Sequence, residues 1–192
     1  LQNDNSAPFT IYGFTLGNHV SSSFKDDHPE LHCKTEKKDV LSCFGTMTGS
    51  NQGFFSRKLE SVSIKVNLSS LRISEISAEI DLDGERELGK LDLEQTWRIQ
   101  GRCLTSYDYD AAVSYDEEKT RHFDKMLTEA LLYPSDSDFI CLSKDGHLLQ
   151  YDGRPDQKKR WVEVFYLKDE YVTAFKYIFD AYNEYKAANG IS

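Results

Sequence analysis

Residues 160–190 read RWVEVFYLKDEYVTAFKYIFDAYNEYKAANG, and this stretch decides the fold. Its first third is rich in β-branched and aromatic residues, which predicts a strand. Asp169 follows, and its side chain can accept hydrogen bonds from the free N–H groups that begin a helix. Apolar residues then recur at spacings of one, three and four, which places them on one helix face. This stripe consists of Tyr171, Val172, Phe175, Ile178, Phe179, Tyr182 and Tyr185.

A helix with so many aromatic side chains on one face must pack against another layer, and the rest of the chain can supply a sheet. Residues 59–68 and 71–82 alternate apolar and polar side chains, which predicts a hairpin with a bulge near Ser74. Residues 139–142 and 147–151 predict a second hairpin around an Asp-Gly turn. We therefore expect an α+β fold, in which one or more antiparallel sheets carry helices packed on one face.

Two further helices are predicted outside the decisive stretch. The first covers residues 18–31, although Pro29 lies near its end. The second begins at Ser114 and Glu117, which have capping-box spacing, after a predicted loop at residues 108–115. Its expected inner face consists of Phe123, Met126, Leu127, Ala130 and Leu131.

The charged segment at residues 83–93 contains two glycines and predicts a link between two halves, residues 1–93 and 94–192. Each half has the predicted order strand, helix and three strands, and the second adds the aromatic helix. Cys43 and Cys141 each fall in the first strand after a helix. The pattern favours two similar helix-plus-meander halves, and a single domain is the alternative because no residue-level repeat is present.

The charge excludes some classes of partner. The chain has 23 Lys and Arg against 32 Asp and Glu, a net charge of −9, so it lacks the excess of cations that a general nucleic-acid binder needs. No apolar run approaches the roughly 20 residues that cross a bilayer. We expect a protein partner, no nucleic acid and no membrane-spanning segment.

Four cysteines without a C-x-x-C motif argue against a zinc ribbon or a thioredoxin-like site. Their even number and wide spacing favour two disulfides in an oxidising compartment, and four buried thiols in a cytosolic protein are the alternative. The chain begins with Leu1, which we interpret as a terminus left after removal of a signal peptide; an artificial chain boundary would look the same. The predicted location is periplasmic or secreted.

Spacing within the predicted elements also suggests which cysteines pair. Cys33 lies at the end of the first predicted helix and Cys43 in the strand that follows, so the chain can return within disulfide distance. Cys103 and Cys141 lie in strands that flank the second helix, and such strands are often neighbours in a sheet. We predict the pairs Cys33–Cys43 and Cys103–Cys141.

No assembled catalytic or cofactor motif is present in the sequence. There is no G-x-S-x-G, and the glycines at positions 45, 49 and 53 are not followed by Gly-Lys-Ser or Gly-Lys-Thr. His28 and His32 would share a helix face, but Pro29 occupies the position where a zinc peptidase needs glutamate. We interpret these histidines as a solvated helix end and predict no metal, no cofactor and no catalytic residue.

Two acidic clusters provide the alternative to a non-catalytic protein. One includes Asp108, Asp110 and Asp116, and the other is the segment at residues 81–85. Paired carboxylates can hydrolyse glycosides, but neither cluster has the spacing of an EF-hand calcium loop. We expect the three aspartates to face solvent away from any deep apolar pocket. A cleft where they converge would instead indicate a carboxylate-dependent hydrolase.

The only basic cluster lies just before the decisive stretch and within its start. On a protein with net negative charge it is a candidate docking patch, and an ordinary solvated loop is the alternative. The patch consists of Arg154, Lys158, Lys159, Arg160 and Trp161.

Residues 11–17 read IYGFTLG and precede a predicted short helix and a strand that contains Cys43. This order resembles small exported bacterial α+β proteins, in which an extended segment ending in Leu-Gly precedes a helix. More distantly, it resembles the β-lactamase-inhibitor-protein-like group, whose members repeat a helix and an antiparallel sheet. The resemblance covers the first 80 residues and implies a binding or assembly module.

The sequence therefore predicts a non-catalytic exported protein that binds another protein. An inhibitor, an immunity-type partner and an envelope accessory protein are the classes that fit. A small-ligand carrier, with aromatic side chains lining a cavity, is a further alternative to the hydrolase.

Overall fold

The structure is a computed structural model that describes residues 9–46, 53–54, 57–82, 84, 86–90, 92, 94, 102–134, 139–143, 145–153 and 158–191. In chain order, its strands are β1 (Thr10–Ile11), β2 (Phe14–Thr15), β3 (His32–Lys37), β4 (Val40–Thr46), β5 (Gly53–Phe54), β6 (Arg57–Asn67), β7 (Arg72–Asp81), β8 (Cys103–Leu104), β9 (Phe139–Leu142), β10 (His147–Gly153) and β11 (Lys159–Tyr166). The helices, numbered over the described residues, are α1 (Phe24–Asp27), α2 (Ser106–Tyr115), α3 (Glu117–Glu129) and α4 (Asp169–Ala188).

A nine-stranded antiparallel sheet runs through both predicted halves of the chain. Its order is β3-β4-β6-β7-β11-β10-β9-β8, with β5 paired to β6 beside this path, while β1 and β2 form a small separate sheet. The strands β3, β4, β6 and β7 form the first meander, and β8, β9, β10 and β11 form the second. The two meanders join where β7 pairs with β11. Residues 1–93 and 94–192 therefore contribute to one sheet.

The pairing of strands obeys an approximate two-fold relation about the β7–β11 junction. Ile76 lies opposite Val164, and on either side of this pair Glu75 faces Phe165 while Ser77 faces Glu163. A two-fold rotation about an axis perpendicular to the sheet, through the Ile76–Val164 pair, thus exchanges Glu75 with Glu163. Followed outward through the pairing of each strand, the same relation makes β4 equivalent to β9 and β3 equivalent to β8.

Both predicted disulfides are present, and they occupy equivalent places. Cys33 on β3 lies directly opposite and is bonded to Cys43 on β4, and Cys103 on β8 is bonded in the same way to Cys141 on β9. Each bridge therefore joins the first two strands of its meander, and the two-fold relation carries one bridge onto the other. The predicted pairing is confirmed. The predicted site of Cys33 at a helix end is wrong, because residues 32–37 form an edge strand.

One face of the sheet, the inner face, is covered over both meanders. Alternation along β6 buries Val62, Ile64 and Val66, as the sequence predicts, and the bulge near Ser74 is present. These side chains belong to a core that also contains residues of β10 and β11 and is covered by the N-terminal segment. The segment contributes Phe9, Ile11, Phe14, Leu16, Phe24 and Leu31.

The opposite face, the outer face, carries helices over the second meander. Leu104, Ile140, Leu142 and Leu148 form a second core together with side chains of α2, α3 and α4. Phe175 and Ile178 of α4 are fully buried there, so the aromatic stripe packs as predicted. An antiparallel sheet that carries the three long helices on one face confirms the predicted α+β class, and the one-turn helix α1 lies with the N-terminal segment on the other. None of the described helices is long and apolar enough to cross a membrane.

Several predicted helix limits are wrong. The predicted loop at residues 108–115 lies in α2, which has its own capping box between Thr105 and Asp108. Asp116, rather than Ser114, caps α3 by accepting a hydrogen bond from the N–H of Lys119.

Two further helix predictions fail at helix ends. The expected inner-face residue Leu131 is 85% exposed, because α3 ends at Glu129 and the chain turns with a φ of 57° at Leu131. The helix α1 ends before Pro29, so it is shorter than predicted.

Candidate functional site: the open face of the first meander

The outer face differs between the two meanders. Five apolar residues of the second meander pack against the helical layer there, and they are Leu104, Ile140, Leu142, Leu148 and Phe165. The two-fold relation assigns to them, in the same order, the first-meander residues Lys34, Ser42, Phe44, Ser63 and Ser77. Four of the five apolar positions are therefore polar in the first meander. Among the described residues, no helix packs on this part of the sheet.

This uncovered surface is a continuous sheet face with mostly short side chains at its centre. We call it the open face, and it consists of Ser42, Phe44, Ser61, Ser63, Lys65, Glu75, Ser77, Glu79, Trp161 and Glu163. Phe44 is 47% exposed although it lies within a central part of β4. The aromatic rings of Phe44 and Trp161 thus lie on a polar face that antiparallel sheets commonly expose to water.

A charged network lies where the open face crosses the two-fold axis. Burial first, and then a hydrogen bond to Glu75 and the charge of Glu75, together raise the pKa of Glu163 to about 8, although Lys65 opposes them. Lys65 Nζ lies 3.4 Å from a carboxylate oxygen of Glu75 and 3.8 Å from one of Glu36, and the charge of Glu75 raises the pKa of Lys65 although burial opposes this. Burial and the neighbouring Glu75 therefore favour the protonated form of Glu163.

Farther along the open face, the charges form ordinary surface pairs. Lys159 Nζ lies 3.2 Å from Glu79, and Lys58 Nζ lies 3.5 Å from Glu60. Such exposed pairs contribute about 0–1 kcal/mol and are screened by salt. They can exchange partners at little cost when another charged surface approaches.

The predicted basic patch is divided by the alternation of β11. Lys158 is exposed and Lys159 points to the outer side, together with the partly exposed Trp161. Arg160 points inward and is only 8% exposed, so the prediction that it belongs to an exposed patch is wrong. Arg154 lies outside the described residues. The patch thus retains Lys158, Lys159 and Trp161 at the margin of the open face.

Arg160 instead holds the link between the predicted halves against the sheet. Its guanidinium donates to the two carboxylate oxygens of Glu87 at 2.8 and 2.6 Å, and the hydroxyl of Tyr151 donates to the same group at 2.6 Å. Burial raises the pKa of Glu87, but the Arg160 and Tyr151 hydrogen bonds outweigh it, so the pKa is lowered. The hydrogen bonds among Arg160, Glu87 and Tyr151 therefore stabilise the fold and do not form part of an exposed basic patch.

The first acidic cluster, whose carboxylates the alternative hydrolase would use, instead holds helices in place. The Asp108 carboxylate accepts hydrogen bonds from Lys90 Nζ at 2.7 Å and from the Tyr182 hydroxyl at 2.8 Å, and its side chain is 17% exposed. The expectation that Asp108 faces solvent is wrong, because its carboxylate is enclosed by these donors and by the N–H of Thr105, with which it forms the capping box of α2. Asp110 accepts from the Tyr133 hydroxyl and Asp116 caps α3.

The second acidic cluster lies only partly within the described residues. Asp81 ends β7 opposite Lys159, while positions 83 and 85 fall outside the described part of the chain.

The two histidines near α1 do not share a helix face. His28 follows the end of α1, its ring lies 4.6 Å from that of Phe24, and its Nδ1 is 3.2 Å from Glu30. His32 begins β3 and is exposed. Within the described ranges, no group of three or more His, Cys, Asp or Glu residues is arranged to hold a metal ion.

Two of the surface grooves formed by the described residues are lined mainly by side chains outside the aromatic stripe of α4, to which only Tyr171 of the stripe contributes. A groove of about 400 Å³ lies beside α3 and is lined in part by His122, Met126 and Tyr171. Another of about 260 Å³ lies beside β2 and α1. The aromatic side chains that a ligand carrier would need are instead packed in the second core.

No family model, curated protein or solved structure matches this chain. The open face was missed from the sequence because Glu75 and Glu163 meet only through the β7–β11 pairing. One signal could have indicated it: the outward positions of the first predicted hairpin carry serine, lysine and glutamate, whereas those of the second hairpin are apolar except for Gln150.

Proposed function

We propose that this is an exported, non-catalytic protein that binds another protein through the open face. The observation that carries the proposal is the difference between equivalent surfaces: helices cover the second meander, and none of those described covers the first. A partner would occupy the place over the first meander that α2, α3 and α4 occupy over the second.

The chemistry of the open face supports a reversible protein contact. Serines and charged groups surround Phe44 and Trp161, which combines aromatic anchors with polar surroundings as non-obligate interfaces do. An apolar face would have suited a permanent helical layer instead. The partner class is therefore one that associates and dissociates, such as the target of an inhibitor, a protein paired with an immunity-type binder, or an envelope component.

Export is supported by the two disulfides, since such bonds persist in oxidising compartments. The absence of catalysis is supported by the structural use of the aspartates around α2 and α3, because their carboxylates cap helices and bind tyrosine hydroxyls. A periplasmic or secreted location accompanies this proposal.

A site-specific cross-linking experiment tests the proposal. A benzophenone amino acid replaces Ser63 in the middle of the open face, and in a matched protein it replaces Lys176, which is exposed on α4. After irradiation in the native cells, we expect a single adduct of defined mass from position 63 and none from position 176. Equal adducts from both positions would contradict the proposal.

A second substitution shows whether the open face itself makes the contact. Ser77→Arg places a long cation on the centre of the face, while Ser70→Arg places the same side chain in the exposed turn after β6. We expect Ser77→Arg to abolish the adduct from position 63 and Ser70→Arg to leave it unchanged, with the same thermal stability for both. An adduct that survives Ser77→Arg excludes this surface.

A further inference from the structure

Residues 9–16 form a strap that crosses the inner face of the sheet. Its strands β1 and β2 pair with each other and do not join the large sheet. Where the strap ends, the N–H of Gly17 donates to the carbonyl of Ile73 at 2.8 Å, and the Arg72 guanidinium donates to the carbonyl of Gly17 at 2.8 Å. The strap is therefore anchored to β7 by hydrogen bonds at Gly17, while Phe9 and the other apolar side chains hold it by burial in the inner-face core.

The opposite end of the strap lies over a buried histidine. His147, the first residue of β10, points to the inner face and is only 7% exposed. Its imidazole ring lies 6.3 Å from the ring of Phe9 and 4.3 Å, edge to face, from the ring of Tyr166 on β11. A Cβ atom at Gly17 would clash with the Tyr166 hydroxyl, so Tyr166 also packs closely against the anchor. One aromatic cluster thus joins both ends of the strap to the sheet.

The imidazole of His147 lies where a positive charge is unfavourable. Burial lowers the pKa of His147 below its ordinary value of 6.5, although the charge of Asp145 opposes this. Asp145 lies in the turn before β10, and the other groups against the imidazole are the phenol ring of Tyr166 and the apolar ring of Phe9. When the strap lifts away, water reaches the imidazole and the penalty for charging it falls. Protonation therefore favours the released strap.

We propose that His147 is a pH-sensitive latch whose protonation releases the strap from the inner face while Gly17 keeps the strap attached to β7. The docked protein binds fewer protons at His147 than the released one. Docking is therefore strongest above about pH 6.5 and weakens as the pH falls below this value. Release uncovers apolar side chains of the inner-face core, so an apolar surface becomes accessible in acid only. The strap and the open face lie on opposite sides of the sheet, so the latch is independent of the proposed function.

Hydrogen exchange of the full chain, read by mass spectrometry and corrected for the intrinsic exchange rate, tests the latch between about pH 7.5 and about pH 5.5. We expect the amides of residues 9–16 to lose protection by up to about ten-fold for each pH unit below about 6.5. The amides of β6 should stay protected over the same range. Unchanged protection of residues 9–16 would overturn the inference, and so would a parallel loss in β6, because the whole sheet would then be opening.

Two substitutions separate the latch from a general effect of acid. His147→Phe keeps an aromatic ring beneath Phe9 but cannot bind a proton, so protection of the strap should no longer depend on pH. His122→Phe makes the same change at an exposed histidine of α3 and should behave as wild type. Asp145→Asn removes the charge that favours protonation and keeps a turn-forming residue before Gly146, so release should require a lower pH.

The variants give clear outcomes. Equal pH dependence in wild type and His147→Phe would overturn the latch, and so would an Asp145→Asn midpoint at or above that of wild type. An unchanged circular dichroism spectrum verifies the fold of each variant. If His147→Phe does not fold, the Asp145→Asn midpoint decides the matter alone.

Discussion

A glutamate on the face of a sheet is ordinarily ionised at neutral pH, but Glu163 is shielded from water and lies against Glu75. Its folded-state pKa of about 8 is above the value in the unfolded chain, about 4.3. The unfolded state therefore loses its proton first, and the stability that the protonated group supports is lost as pH rises from about 4.3 to about 8.

Glu163→Gln removes this loss of stability at high pH, because the amide cannot ionise but can still form a hydrogen bond to Glu75. We expect the free energy of unfolding to increase by about 1–2 kcal/mol at pH 8, discounted for partial exposure, and to change little at pH 4. Urea unfolding at several pH values measures it. Glu79→Gln is the control, and parallel pH profiles for wild type and Glu163→Gln would refute the prediction.

Asp108 joins three parts of the chain through one carboxylate. It accepts hydrogen bonds from Lys90, from the hydroxyl of Tyr182 on α4 and from the N–H of Thr105. Burial raises its pKa, but these three donors outweigh burial, so the pKa is lowered. The stability it supports is present above the unfolded value of about 3.9 and is lost as pH falls through the folded pKa.

Asp108→Ala should lower the free energy of unfolding by about 2–3 kcal/mol, because it leaves Lys90 and Tyr182 without this acceptor and removes the cap of α2. Chemical denaturation at pH 7 measures the loss, which should shrink toward pH 3. Asp110→Ala, with its single hydrogen bond to Tyr133, should cost less than half as much. Equal losses would show that the Asp108 network stabilises the fold no more than the single Asp110–Tyr133 hydrogen bond does.

Arg160 shows why residue roles could be predicted only in part. Its place in a basic run suggested an exposed patch, and the strand pattern of β11 was clear from the sequence. The acceptor that holds it inside, Glu87, lies 73 positions earlier and is brought near only by the tertiary fold. The Glu75–Glu163 pair likewise depends on a register that no local pattern specifies.

Among the elements, α4 allows the clearest prediction of a stability change, because its periodic apolar stripe is buried. Phe175→Ala should cost about 3–5 kcal/mol, the usual range for loss of a fully buried ring. Lys176→Ala, one residue later on the exposed side, should change stability by less than about 0.5 kcal/mol. Thermal or urea unfolding measures both. A Phe175→Ala protein as stable as the control would mean that α4 is dispensable for the fold.

The two disulfides close loops of different length, with sequence separations of 10 and 38. Chain entropy predicts about 2.7 kcal/mol from the shorter loop and about 4 kcal/mol from the longer one. We therefore expect C103A/C141A to lower the urea midpoint more than C33A/C43A. Since both bridges hold equivalent strands, each pair is the control for the other, and the reverse order would contradict the entropic argument.

Strands and helices could be predicted from the sequence where burial of one side gives the apolar residues a regular spacing. β6, β7 and α4 have one clearly buried side, and their positions follow from alternation or from helical spacing. β3 is an edge strand whose side chains are largely exposed, so the HCKTEK segment carries no alternation. α2 buries only Tyr109 and Ala112, and it contains aspartates and serines that are typical of loops.

For the whole molecule, a shared sheet and a shared inner-face core predict cooperative unfolding. The core contains Val66 of the first meander and Val162 of the second, so neither meander keeps its packing alone. We expect circular dichroism and tryptophan fluorescence to report one coincident transition in urea. Val66→Ala and Phe175→Ala should shift that same transition. Two separate transitions, each moved by one variant only, would indicate independent halves.

The likeness of the halves was visible in the order of predicted elements, but the way they join was not. The sequence left open whether the two halves form separate sheets or one. β7 pairs with β11 although residues 82–158 lie between the two strands, and the pairing extends one sheet across both halves. Such long-range contacts are selected by the fit of whole faces, which local propensities do not encode.

The position of β11 also determines when the sheet can be completed. It is the last described strand to be synthesised, yet it lies in the middle of the strand order. Until it arrives, β7 and β10 each present an unpaired edge. The chain must therefore keep two half-sheets apart and unaggregated while it emerges. The sheet therefore closes late, once every described strand up to Tyr166 is available.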